Sequence, residues 1–280
     1  MNSLVSTDWL AEHLSAPDLR VADCTWFLPG EGRDARAEYV QEHLPRAAFL
    51  DLSDLVDDSN PAPMMMPAPE KFASRVARLG IGDGCRIVLY DASPHHTAAR
   101  AWATFRSFGI PGVAILDGGL AKWRAEGRPL ETGMPTPKPR HLTPRGRGLG
   151  IVDQAAVATA LVNGVQVVDA RSPSRFAGEE SEPRAGVVPG HMPGAANIPF
   201  TELLAPDGTM LPPEALRARF ERAGVDEERP VILSCGSGVT ACVLALGLVR
   251  AGLPEGAVYD GSWTEWALRP ETPKSTKDAA

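Results

Sequence analysis

Cationic surplus, cysteine density and long apolar runs are all scarce in this chain, and each shortage closes off a class of function. Lysine and arginine number 28 against 35 aspartates and glutamates, a formal charge of -7 over 280 residues. Nothing in that balance suits a phosphate backbone or an anionic lipid surface, so neither nucleic acid nor membrane is an expected partner. Apolar stretches such as 243–249 fall far short of the roughly 20 residues that a spanning helix needs. Residues 1–14 mix acids with apolar residues where an export signal has a basic start and an apolar core. The expectation is a soluble, unexported, cytoplasmic protein. The four cysteines, Cys24, Cys85, Cys235 and Cys242, show neither CxxC spacing nor the density of a disulfide scaffold. A reducing compartment fits, no metal or organic cofactor is implied, and any special thiol must be found by its surroundings.

What is present is enough apolar residue, 44%, to bury real cores, in a chain long enough for two domains. Residues 134–150 stand apart: they hold four prolines, five basic residues counting His141, and no acid. Such a stretch suits an extended connection over the surface, and the expected organisation is a domain over 1–134, a linker over 135–149, a second domain over 150–270 and a flexible tail over 271–280. On either side of the linker the same landmarks recur in one order. Val21-Ala22-Asp23-Cys24 answers Val167-Val168-Asp169-Ala170, and the turn at His43 answers that at His191. Farther on, Tyr90-Asp91-Ala92-Ser93 answers Ser234-Cys235-Gly236-Ser237, and Asp117-Gly118-Gly119 answers Asp260-Gly261-Ser262. Apolar runs of strand length (86–90, 113–116, 165–168, 231–234) alternate with helical-period segments (70–79, 98–108, 213–223, 239–251). The fold class is therefore α/β, a duplicated unit in which each half is a mostly parallel sheet with helices on both faces, with ligands expected at the carboxyl ends of strands.

One such end carries Cys235-Gly236-Ser237-Gly238-Val239-Thr240, between the strand 231–234 and the following helix. Glycines let the backbone curl and turn N–H groups toward the sulfur, and the positive helix end adds to them, a geometry that favours a thiolate. The matched position in the first half is Asp91, which cannot be a thiol nucleophile and reads as a capping acid. Cys24, Cys85 and Cys242 read as structural. His43 and His191 recur in both halves and read as turn residues that orient the chain. A cysteine phosphatase loop would need an arginine six residues after the cysteine, where this chain has Ala241.

These motifs together resemble the tandem-domain rhodanese superfamily of sulfurtransferases, in its 3-mercaptopyruvate branch. The carriers are the Cys235 loop, Asp169-Ala170-Arg171, Arg175-Phe176-Ala177-Gly178, Glu182-Pro183-Arg184, Gly190-His191-Met192-Pro193 and Asp260-Gly261-Ser262-Trp263. The resemblance implies two rhodanese-like domains, the second catalytic. It also implies transfer of sulfur from 3-mercaptopyruvate through a Cys235 persulfide to a thiol such as thioredoxin, or to cyanide, by a monomer that needs no cofactor. Thiosulfate relatives put Arg and Lys after the cysteine; Gly236 and Ser237 stand here, which suits a donor whose charge is a distant carboxylate. Arg175 and Arg184 match the arginines that hold that carboxylate. The amides of residues 236–240, among them Gly236, Gly238, Val239 and Thr240, would stabilise the persulfide, with Ser237 and Asp51 implied in proton handling. The branch pairs them with a histidine whose place is taken by Met64, leaving either Ser237 with water, or His95 or His96, for the proton. The alternatives are a thiosulfate:cyanide sulfurtransferase and a non-catalytic persulfide carrier.

Overall fold

A computed structural model describes residues 1–146 and 148–276 of the chain. Two compact units emerge. The first comprises residues 1–57, 66–148 and 205–210, and the second comprises residues 58–65, 149–204 and those from 211 onward. Each unit thus includes a short loop from the other half of the sequence, which continuous domain bounds do not convey.

In the first unit the elements run β1 (Leu4–Val5), α1 (Thr7–His13), β2 (Leu19–Asp23), α2 (Ala35–Gln41), β3 (Ala47–Phe49), α3 (Pro69–Arg78), β4 (Arg86–Tyr90), α4 (Ala98–Ser107), β5 (Val113–Leu116) and α5 (Gly119–Ala125). The second unit repeats the scheme with β6 (Ile151–Val152), α6 (Gln154–Val162), β7 (Gln166–Asp169), α7 (Pro173–Ala177), β8 (Ala196–Asn197), a 3-10 turn (Phe200–Leu203), α8 (Pro213–Arg222), β9 (Val231–Ser234), α9 (Ala241–Arg250), β10 (Ala257–Tyr259) and α10 (Ser262–Leu268). The sheet orders are β1-β5-β4-β2-β3 and β6-β10-β9-β7-β8, and every pairing is parallel. Even the register is repeated: Asp23 lies opposite Tyr90 as Asp169 lies opposite Ser234. The duplication read from the sequence is a duplication of topology.

Central strands show why both faces are covered. Ile87, Val88, Leu89 and Tyr90 of β4 are all fully buried, as a parallel strand between two helix layers requires. Helices α3 and α8 begin alike, with proline in the first turn, where its missing N–H costs nothing. They bury Phe72 and Val76, and Leu216 and Phe220, at i and i+4 on one face. Each such apolar side chain contributes about 1.5–3 kcal/mol by leaving water. Trp263 and Trp266 close the core of the second unit with Val157, Val167 and Tyr259.

Among its described residues the linker has no helix or strand, yet it is tied to the first unit. Arg140 donates its N–H to Ala77 O (3.0 Å), Arg145 donates to Phe108 O (2.8 Å), and Thr143 Oγ1 donates to Asp83 (2.7 Å). Gly82 is needed there, because a Cβ would stand 2.5 Å from the His141 carbonyl oxygen. The stretch expected as a flexible tail is held over 271–276. His191 and Ser275 exchange backbone hydrogen bonds of 2.8 and 2.9 Å, and Trp266 Nε1 donates to Pro273 O (2.8 Å). The rest of that stretch, 277–280, lies outside the described residues. Among the described residues no helix is long and apolar enough to cross a membrane.

Candidate active site

β9 delivers Cys235 at the carboxyl end of the second sheet, and α9 starts at Ala241, two residues later than the helical periodicity suggested, because Val239 and Thr240 belong to the loop. The loop is anchored through its carbonyls. In α10, the Trp263 N–H donates to Cys235 O (2.9 Å), and the Thr264 N–H and Oγ1 donate to Gly236 O (2.9 and 2.6 Å). A trans peptide sends its N–H opposite to its C=O. With these two carbonyls turned to α10, the amides of Gly236 and Ser237 face away from it.

Those amides are unoccupied. Among the described residues the N–H groups of Gly236, Ser237, Val239 and Thr240 have no acceptor. The Thr240 side chain makes no capping bond, so the positive end of α9 is uncompensated. One amide differs from expectation. Gly238, held at φ 73, donates its N–H to Ser262 Oγ (3.0 Å), and so does Cys235 (3.1 Å); the ring of available amides is four, without Gly238.

Cys235 is also deeper than a reactive thiol read from sequence would be, at 1% exposure, with Ser237 and Val239 at 4%. The depth has a chemical consequence. Excluding water strengthens every dipole aimed at the sulfur. Cys242 lies in packing as expected, its Sγ donating to Gly238 O (3.2 Å). Cys24 and Cys85 are buried in the first unit, and burial, aided by Asp23 and Asp91, pushes the Cys24 thiol well up.

Two guanidinium groups stand by the loop. The nearest neighbour of a Cβ built on Gly236 would be Arg175 Nη2, at 3.0 Å, so the bare glycine is what lets Arg175 lie against the loop. Arg175 Nη2 pairs with Glu182 Oε2, while its Nε is buried with no partner. The ion pair differs from an ordinary surface contact, since the Glu182 side chain is 2% exposed. Arg184 makes no hydrogen bond or ion pair among the described residues. Burial pulls its pKa below the usual arginine value; Cys235 opposes that pull, and the neighbouring Arg175 adds to it. A half-buried cation and a buried donor without a partner both carry an unmet demand for an acceptor.

Behind Arg175 lies a network the sequence motifs contained but did not explain. Buried Arg171 grips Asp169 through Nε (3.1 and 3.0 Å) and Nη2 (2.7 Å), donates to Gly190 O (2.8 Å), and through Nη1 holds Glu182 Oε1 (2.7 Å). Its guanidinium lies 4.8 Å from the Trp263 ring centroid. The chain Asp169–Arg171–Glu182–Arg175 therefore fixes the Arg175 side chain from the end of β7. The signal was the pair of triplets Asp169-Ala170-Arg171 and Glu182-Pro183-Arg184, whose members meet only in space.

The remaining sequence candidates fall elsewhere. Asp51 belongs to the first unit, where Oδ1 accepts from Ser53 N–H and Oγ (3.0 and 2.5 Å) and Oδ2 stands 3.6 Å from Arg36. Met64 is buried at φ 63 in the segment that packs with the second unit. His95 Nε2 is engaged by Glu31 at 2.6 Å, and burial lowers the pKa of His96. His191 and His43 do the same structural work in each half. Each places Nδ1 2.8 Å from a backbone carbonyl oxygen, of Phe176 and Tyr39, and stacks on that residue's ring.

Known proteins share the fold and much of the sequence. The rhodanese-like domain profile matches residues 6–126 and again 154–269. The 3-mercaptopyruvate sulfurtransferase of Homo sapiens is 42% identical over 95% of this chain and 92% of its own length. The thiosulfate sulfurtransferase of Bos taurus is 40% identical over 96% and 94%. The crystal structure of SseA from Escherichia coli, a 3-mercaptopyruvate sulfotransferase, superposes with a TM-score of 0.85 at 37% identity, covering 94% of this chain and 99% of that one. Two domain matches, full-length relatives and a shared fold place the chain in the rhodanese family, as a tandem of two rhodanese-like domains.

Proposed function

We propose that the protein is a sulfurtransferase that takes sulfur from 3-mercaptopyruvate. The observation that carries this reading is the division of labour at the site. The thiol loop offers main-chain amides and no cationic side chain, while the positive charge stands beside it on Arg184 and Arg175, where a donor's carboxylate would bind. Thiosulfate, whose charge is spread over the group next to the transferred sulfur, needs cations within the loop itself.

In the first step the Cys235 thiolate attacks the donor sulfur, and an S–S bond forms as the C–S bond breaks. Its electron pair leaves on carbon as the enolate of pyruvate, which takes up a proton to become pyruvate. The amides of Gly236, Ser237, Val239 and Thr240 stabilise the resulting persulfide anion. In the second step an acceptor thiolate attacks the outer sulfur and regenerates Cys235; cyanide in its place leaves as thiocyanate. Ser237 and water serve the proton. The acceptor is proposed to be a small protein thiol of the thioredoxin kind, and the working form a monomer in a reducing compartment such as the cytoplasm.

Steady-state kinetics with both donors test the assignment. The expected result is a higher kcat/KM with 3-mercaptopyruvate; a higher value with thiosulfate assigns the chain to the thiosulfate branch that its bovine relative represents. Persulfide formation without repeated turnover to any thiol would instead make the protein a carrier.

A further inference from the structure

The two halves carry equivalent backbone bonds behind their strand-to-helix turns, and one position there is filled differently. In the first unit the Leu120 N–H donates to Asp91 O (3.0 Å); in the second the Trp263 N–H donates to Cys235 O (2.9 Å). The residue before the donor is Gly119 in one and Ser262 in the other. Both have left-handed backbones, at φ 56 and φ 49. Glycine adopts that conformation freely, and a Cβ at Gly119 would stand 2.5 Å from the Asp91 carbonyl oxygen. Serine adopts it under strain. A strained serine where the sister repeat uses glycine calls for a function of the hydroxyl.

That hydroxyl is fully employed. Ser262 is completely buried, and its Oγ accepts the N–H of Cys235 (3.1 Å) and of Gly238 (3.0 Å) while donating to Tyr259 O (2.8 Å). One donor and two acceptor sites exhaust a hydroxyl. The same oxygen lies 3.9 Å from Cys235 Sγ. By drawing two amides to itself, it ties the loop at Cys235 and Gly238, while the amides of Gly236, Ser237, Val239 and Thr240 keep no acceptor among the described residues. Its proton has Sγ as an alternative acceptor once negative charge appears there.

We infer that Ser262 is the positioning residue of the sulfur-carrying loop, acting through the amides of Cys235 and Gly238 and by a turn of its own hydroxyl toward the anionic sulfur. The inference rests on the proposed role of Cys235 as sulfur carrier, but not on which donor loads it.

Ser262→Gly and Ser262→Ala separate this role from a merely structural one. The glycine variant relieves the left-handed strain, so its urea midpoint is expected to equal or exceed that of the parent. Its Cys235 alkylation by iodoacetamide, followed by peptide mapping, is expected to move to higher pH by about one unit. Turnover is expected to fall about tenfold in kcat with KM little changed, because no donor contact is removed. Ser262→Ala should reproduce the alkylation and kcat effects. Alkylation profiles and kcat that coincide with the parent in both variants would overturn the inference, as would a loss of activity that merely follows a lost folded fraction. Alkylation requires no donor. A shifted profile in a protein that never uses 3-mercaptopyruvate would leave Ser262's role standing and overturn the donor assignment alone.

Discussion

After β4 the chain turns into α4 through Asp91, and after β9 it turns into α9 through Cys235; the two turns treat the helix N-terminus in opposite ways. Asp91 brings its own anion, its Oδ2 accepting the N–H of Ala98 (2.7 Å) and its Oδ1 that of Ser93 (2.9 Å). The first turn thereby satisfies two of its own amides and is closed in that sense. In the second repeat Thr240 makes no capping bond to α9, and four amides of the Cys235 loop have no acceptor among the described residues. One topology thus supports a self-satisfied scaffold and an unsatisfied site, and the distinction lies in whether the turn supplies its own negative charge or receives it from chemistry. Unpaired donors weaken a fold, and the open version has the buried Asp169–Arg171–Glu182 network beside it.

If the second repeat is open because it awaits an anion, removing its free cation should matter most. Arg184→Ala is expected to lower kcat/KM for 3-mercaptopyruvate by about 10–100-fold, chiefly through KM, as the loss of a charge-assisted hydrogen bond dictates. Arg184→Lys should recover part of it. An unchanged KM would place the carboxylate elsewhere.

The closed repeat makes a prediction in pH. Burial pushes Asp91 up to about 6 from 3.8, so the native state binds more protons than the unfolded chain between those values. Stability from this group is therefore present at low pH and falls as pH rises through about 6. Urea unfolding of Asp91→Asn against the parent should show a difference that changes by on the order of 2 kcal/mol between pH 4 and 7, in favour of the variant as pH rises. Asp23, also buried and pushed up to about 6, leaves a residual dependence in the variant. A difference that is flat with pH would mean Asp91 is not held in a dry site.

A smaller effect concerns the fit of Arg175 to the loop. Gly236→Ala puts a methyl 3.0 Å from Arg175 Nη2, and because a flexible arm can yield by a few tenths of an ångström, about a two- to fivefold loss of kcat/KM is expected. Retained thiosulfate activity with reduced 3-mercaptopyruvate activity would show that the displaced arm reads the carboxylate.

Much of this was legible in the sequence. Strands at 86–90, 113–116 and 231–234 are bounded as their apolar runs imply, because fully buried parallel strands consist of little else. β7 begins one residue later than its apolar run, since the Val165 N–H closes α6 on Ala160 O (2.9 Å). The repeat order exposed Cys235 and Asp91 as counterparts, and the capping role foreseen for Asp91 is the one observed. What escaped were relations between distant residues. The loops 58–65 and 205–210 pack by tertiary fit that no local pattern encodes. Ser262 reads as part of a turn motif until its Oγ is seen to hold amides 24 and 27 residues away. The burial of Cys235 is likewise a property of what covers the loop, not of the loop's own text.

Intact-mass analysis and peptide mapping after one exposure to 3-mercaptopyruvate address the sulfur-carrying role of Cys235 at its root. One added sulfur atom is expected on Cys235, none on Cys24, Cys85 or Cys242, and it should vanish when a thiol is supplied. Turnover that proceeds with no sulfur ever found on Cys235, or with sulfur on another cysteine, would contradict the account.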